Sequence, residues 1–271
     1  MVGLSAVCKA TGGAGKASKR VVRAAVMLAA LLVAIPLGAS PARAKPDSDP
    51  GVAPLIVGGE IQTDADGLAA LLVGLPDHRT YACTGSIVDN YWVLTARHCI
   101  EDDDGNRIPN DELAVRVKSI YWNSGGGVVR VATSRVRTNH DIAMLKLERS
   151  ANAQTVRLPT ATTTVGATTY AFGWGVTCLI CDPSSRVRRA TQRVESINAV
   201  DAEGGRAVRT LGLNGNVCFG DSGGPLFKLV DGLRYQVGVL SNGDTLCEGN
   251  GDNWATVPDS RAWILNVIAT V

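Results

Sequence analysis

Gly220-Asp221-Ser222-Gly223-Gly224-Pro225 is the stretch on which the reading of this chain turns. A serine set among glycines can expose its hydroxyl and let another backbone come close. The same glycines leave N–H groups free to face negative charge developing on an oxygen. Read alone, the segment is either an activated serine or a tight turn in a β protein. A base elsewhere in the chain decides between the two.

The chain has only three histidines, His78, His98 and His140, and all precede Ser222. The segment matches G-x-S-x-G, the nucleophile elbow of α/β-hydrolases, but those enzymes carry their histidine after the serine. That reading fails, and the order His, Asp, Ser stays open. His98 lies in Leu94-Thr95-Ala96-Arg97-His98-Cys99, and Asp141 lies in His140-Asp141-Ile142-Ala143-Met144-Leu145-Lys146-Leu147. Together with Gly220–Pro225 these segments resemble the chymotrypsin/trypsin family of serine proteases, in its secreted bacterial type. Ile56-Val57-Gly58-Gly59 is similar to that family's mature N-terminus, and Gly173-Trp174-Gly175 to a further family segment. The resemblance covers 56–271.

The resemblance implies an all-β fold of two packed antiparallel six-stranded β-barrels with a C-terminal helix. It implies that Ser222 is the nucleophile and that His98 takes and returns its proton. Asp141 would hold the imidazole in one tautomer and stabilise its charged form. Gly220 and Ser222 would supply the oxyanion-hole N–H groups. Cys83 would pair with Cys99, and Cys218 with Cys247. The substrates would be proteins or peptides. A cut before Ile56 would free an ammonium to pair with Asp221. Leu55 precedes Ile56 where the family commonly has Arg or Lys, so the activating protease must accept leucine.

Specificity is less legible. The position six residues before the nucleophile, an Asp in trypsins, is Asn216. The other pocket walls are expected at Ser241-Asn242-Gly243 and at Gly251-Asp252-Asn253-Trp254. There Asp252 either restores a preference for basic side chains or lies outside an uncharged, apolar pocket. Arg97 and Asn242 are the departures most able to disturb the cleft.

The rest of the chain fits an exported protein. Residues 1–44 hold six Lys/Arg and no acidic residue, leaving 21 basic against 25 acidic residues beyond them. The basic whole-chain balance therefore belongs to the N-terminus and does not point to nucleic acid. A basic stretch ending at Arg23, an apolar run from Ala24 to Ala39 and Ala42-Arg43-Ala44 read as a cleaved signal peptide. The run is shorter than the roughly 20 residues a spanning helix needs, so the mature protein is expected off the membrane. Residues 45–55 read as a pro-segment or linker, and 56–271 as one two-lobed domain. Cys8 leaves with the signal, and six cysteines remain: Cys83, Cys99, Cys178, Cys181, Cys218 and Cys247. An even number in an oxidising compartment favours disulfides. The partners of Cys178 and Cys181 stay open. A lone C-x-x-C without a nearby histidine argues against zinc. No cofactor or metal is expected, and the protein is expected to be a monomer. Glu101–Asn106 is acidic but lacks calcium-loop spacing, so it reads as a solvated loop. His78 reads as a solvated turn residue.

Short runs of Val, Ile, Leu, Thr and Tyr between turn residues predict strands at 69–75, 86–95, 113–120, 128–136, 142–147, 167–172, 191–197, 225–230, 234–241 and 253–257. One helix is predicted at the end, capped by Asp259 and burying Trp263, Ile264, Val267 and Ile268. Two rivals stand beside the protease: a non-catalytic binding protein on the same fold, and an esterase using the same three residues.

Overall fold

A computed structural model describes residues 56–74 and 80–271. The expected signal peptide, the 45–55 segment, Leu55, Cys8 and His78 lie outside the described residues.

The first barrel begins with β2 (Leu68–Val73), after a two-residue edge strand β1 (Glu60–Ile61). Its sequence LAALLV has no polar face. Such a run suits a strand covered on both sides. Ala69 and Leu71 face the barrel interior, while Leu68, Ala70 and Leu72 join a second cluster outside it. β3 (Thr80–Asp89) and β4 (Trp92–Thr95) follow, then β5 (Leu113–Val117), β6 (Gly127–Val136) and β7 (Ala143–Leu147). They close in the order β2-β3-β4-β7-β6-β5.

The second barrel contains β8 (Thr168–Gly173), β9 (Arg188–Val200), β10 (Arg206–Gly212), β11 (Pro225–Val230), β12 (Leu233–Asn242) and β13 (Asp252–Thr256). It runs β9-β10-β13-β12-β11-β8 and closes through β8–β9, with β1 added at the edge of β9. Every ladder is antiparallel. Closure leaves these barrels without long open edges, the usual weakness of β structure. The two barrels and the helix are the architecture expected above.

Phe172, Trp174, Val187 and Phe227 of the second barrel pack with Leu68, Ala70, Leu72 and Tyr81 of the first in one cluster. A buried hydrogen bond also crosses between them, from Ser86 Oγ to Gln236 Oε1 at 2.6 Å.

Three expectations change. The predicted strand 86–95 is a hairpin, because Asp89 Oδ1 accepts the Tyr91 N–H at 2.9 Å and turns the chain at Asn90. β10 was not predicted: Arg206 and Arg209 interrupt its apolar alternation. The helix, α1 (Val257–Thr270), starts three residues early, with Thr256 at the N-cap position. Asp259 therefore sits in its first turn, where a carboxylate still complements the helix dipole, and it binds Arg206 Nε at 2.7 Å. The buried face is as expected, with Ile264 and Val267 inside and Trp263 and Ile268 partly covered.

Candidate active site

His98 opens a single 3₁₀ turn (His98–Ile100) directly after β4. Cys99 in that turn is bonded to Cys83 on β3, which staples the turn to the barrel wall. Asp141 lies just before β7, the strand paired to β4. That pairing brings the two residues together although 43 positions separate them. Asp141 Oδ1 accepts the His98 backbone N–H at 3.0 Å, and Oδ2 lies 2.7 Å from His98 Nδ1. Asp141 is fully buried, while the His98 side chain is 39 % exposed. Burial works to raise the Asp141 pKa, but its bonds to His98 and Ser241 outweigh it and hold the carboxyl below its ordinary value. The arrangement presents Nδ1 of the imidazole to the carboxylate and leaves Nε2 off it.

Ser241 has a second role besides the pocket wall expected for it. Its Oγ donates to Asp141 Oδ2 at 2.7 Å and accepts the Ala202 N–H at 3.0 Å. A hydroxyl beside a small-residue wall carries no distinguishing pattern in sequence, so this contact was invisible there. His140, next to Asp141, faces Asp201 at 3.4 Å. Burial first, then Arg137, lower its pKa.

The Ser222 loop crosses between the barrels. The Thr84 N–H on β3 donates to Ser222 O at 2.9 Å. Gly220 has φ +94°, a conformation that side-chain-bearing residues rarely adopt. Ser222 lines a cavity of about 230 Å³ together with Phe219, Ser241, Asn242, Gly243, Asp244 and Asp252 among others. Among the described residues no hydrogen bond joins His98 to Ser222, and His98 Nε2 lies 3.9 Å from Cys99 Sγ. Such bonds are often long or absent before substrate binds.

Asp252 reaches this cavity. It is 2 % exposed, and its Oδ2 has no hydrogen-bond partner. Gly243 stands directly against its Oδ1, so a side chain at 243 would clash with it. Burial pushes the Asp252 pKa up to about 7; Asp221 and Asp244 add to this, and the Asp244 backbone N–H and Arg209 oppose it. Asn216, expected at the pocket floor, does not line the cavity. Its N–H binds Val57 O at 2.7 Å, and its side-chain amide binds Cys247 O at 3.3 Å, so both donors are used on structure. Asn242 is at the cavity wall and exposed.

Asp221 is buried. Its carboxylate accepts the N–H groups of Gly175 at 2.8 Å and Cys218 at 3.0 Å. Burial still raises its pKa to about 6, against those two bonds and Arg188. Ile56 is also fully buried, in the core of the second barrel. Arg97 does not line the cavity; it bridges Glu101 at 2.8 Å and Glu203 at 2.5 Å.

All six remaining cysteines are paired. Cys218–Cys247 ties the Ser222 loop to the far cavity wall, and Cys178 pairs with Cys181. Cys83, His98 and Cys99 form the one tight cluster of metal-ligating types among the described residues, but both sulfurs belong to one disulfide and neither is a thiolate ligand. The Glu101–Asn106 loop folds on itself, with Asp102 Oδ1 accepting N–H groups of Asp104 at 3.0 Å and Asn106 at 2.8 Å. No helix among the described residues is long and apolar enough to cross a membrane.

Comparison with known proteins gives one consistent direction. The family model described as Trypsin matches residues 56–264. Trypsin epsilon of Drosophila erecta is 32 % identical over 209 residues, covering 69 % of this chain and 77 % of its own length. Trypsin alpha-4 of Lucilia cuprina is 28 % identical over 221 residues, covering 73 % and 82 %. Chymotrypsin of Phaedon cochleariae is 24 % identical over 241 residues, covering 81 % and 84 %. These are insect proteins and lend no support to the bacterial type expected above. A solved structure, human heparin binding protein, superposes with a TM-score of 0.65 at 21 % identity, covering 79 % of this chain and 97 % of that one.

Proposed function

Because the chain belongs to the trypsin family of serine proteases, we propose that it is a secreted serine endopeptidase, made as a precursor and working through Ser222, His98 and Asp141. The observation that carries this reading is the pairing of a half-exposed imidazole with a buried carboxylate, His98 Nδ1 to Asp141 Oδ2 at 2.7 Å. The carboxylate keeps the proton on Nδ1 and leaves Nε2 free as the base. Ser222 Oγ attacks the carbonyl carbon of the scissile bond as Nε2 takes its proton. The N–H groups of Gly220 and Ser222 receive the oxyanion. Nε2 then protonates the leaving amine, and water repeats the sequence on the acyl-enzyme.

The buried, unpartnered Oδ2 of Asp252 supports a preference for a basic side chain in the pocket. A carboxylate without a partner is costly to bury, and a bound guanidinium or ammonium would relieve that cost. Burial of both Ile56 and Asp221 supports activation by a cut before Ile56, whose new ammonium would neutralise Asp221. N-terminal sequencing of the active protein is expected to read IVGG; full activity in a protein beginning at Lys45 would exclude this route.

The test is titration with a fluorophosphonate probe. One label per molecule, absent from Ser222→Ala, is expected, and turnover in that variant falls by on the order of 10⁶. No labelling after trimming to Ile56 would favour a binding protein, the activity named for the human structural neighbour. Turnover of esters without amides would favour the esterase.

A further inference from the structure

We propose that Tyr81 is a positioning residue for the oxyanion hole, holding the Gly220 peptide from the opposite barrel. The inference rests on the roles proposed above for Gly220 and Ser222. Tyr81 sits on β3 of the first barrel and is 8 % exposed. Its hydroxyl donates to Gly220 O at 2.6 Å and lies 2.7 Å from Thr84 Oγ1. Thr84 Oγ1 is itself 3.2 Å from Gly220 O.

Residues three apart on a regular strand point to opposite faces. Here they point the same way because β3 carries a bulge. Leu71 pairs with Cys83 but Leu72 pairs with Tyr81, so Ala82 is the extra residue. A bulge re-aims the side chains beyond it. This one delivers two hydroxyls to one carbonyl. Each hydroxyl has a single proton. With the Tyr81 proton on Gly220 O, the Thr84 proton completes a relay from Thr84 through Tyr81 to Gly220. Burial first, then the nearby Asp221 charge, push the Tyr81 pKa well above its ordinary value, so the phenol keeps that proton at neutral pH.

Gly220 needs such a clamp. It has no side chain and a positive φ, so the chain around it has many conformations to choose from. Its neighbouring peptides are gripped from both sides. The Val176 N–H binds Phe219 O at 2.8 Å. A trans peptide points its N–H opposite to its carbonyl, so this bond turns the Gly220 N–H away from Val176. Tyr81 grips the next peptide through Gly220 O, and the Asp221 N–H binds Cys218 O at 3.0 Å. The Tyr81 ring also stands against the Gly220 α-carbon, where a side chain would clash with it. The proposed donor is thus set by a residue whose hydroxyl bonds to Gly220 O and Thr84 and not to Ser222.

The experiment compares wild type with Tyr81→Phe, which keeps the ring and removes the donor. The expected result is a fall of about tenfold in kcat with KM unchanged, and an equal loss of affinity for a peptide boronate that mimics the tetrahedral state. Binding of a small non-covalent pocket ligand such as benzamidine stays unchanged, a split that mere destabilisation does not produce. Thr84→Val removes only the relay and is expected to lower the same two quantities about threefold; it serves if Tyr81→Phe does not fold. Wild-type kcat and boronate affinity in both variants would overturn the role of Tyr81 and leave the protease reading standing. Failure of the wild type itself to react with fluorophosphonate or boronate would overturn both.

Discussion

Asp252 shows how one residue's surroundings set its chemistry. With its pKa raised to about 7, the carboxyl takes up a proton on folding between its unfolded value of about 3.9 and about pH 7. The empty protein therefore loses stability as pH rises across that window. Binding of a cation runs the opposite way, because only the ionised form attracts it. Affinity for benzamidine is expected to fall about tenfold per pH unit below pH 7, and Asp252→Asn should be weak and flat from pH 5 to 8. A flat profile in the wild type would remove Asp252 from recognition. The sequence offered Asp252 only as an alternative. A carboxylate two residues before a tryptophan has no spacing rule that says which way it faces. Its direction comes from the β12–β13 ladder, which pairs Asn253 with Asn242 and brings Asp252 against Gly243.

At the scale of elements, burial decides what each residue is worth. In α1, Ile264 is fully buried while the adjacent Leu265 is 40 % exposed. Ile264→Ala is expected to cost about 2–5 kcal/mol in urea unfolding, and Leu265→Ala within about 0.5 kcal/mol. The Cys83–Cys99 bridge closes a separation of 16 residues and includes the turn that carries His98, the proposed base. Replacing both cysteines by serine is expected to cost about 3 kcal/mol and to lower kcat, because the 3₁₀ turn carrying His98 loses its anchor. Equal stability and kcat would mean that the β4–β7 ladder holds His98 unaided. The helix was legible because its apolar residues recur on one face. β10 was not, because its arginines are spent on partners that are distant in sequence, Arg206 on Asp259 and Arg209 on Asn250 O.

Across the whole molecule, the barrels meet through two apolar clusters, one of them carrying Val239 and Ala255 of the second barrel into the core of the first, and a few polar bonds. Ser86 and Gln236 form one of these, fully buried. Ser86→Ala strands the Gln236 carbonyl oxygen and is expected to cost about 1–3 kcal/mol. Pairing it with Gln236→Leu should recover part of that loss, because two apolar groups leave nothing unsatisfied. A double variant as unstable as the sum of the single variants would show that the two residues are not coupled. The proposed catalytic groups straddle this seam, with His98 and Asp141 on the first barrel and Ser222 on the second, so packing between barrels bears on activity as well as stability.

The sequence by itself determined the class of the fold, the family and the residues worth watching. These rest on local features: serine among glycines, histidine before cysteine, and short apolar strands between turns. Only the tertiary structure decided what those residues touch. It tied Asn216 to the Val57 and Cys247 backbones and off the Ser222 cavity, brought Asp252 to the wall of that cavity and made Ser241 a support for Asp141. It also aimed Tyr81 and Thr84 at one carbonyl through a bulge that propensity does not mark. The physical reason is that a side chain's type is written locally, whereas its partners are chosen by strand register, and register is settled only when both barrels close.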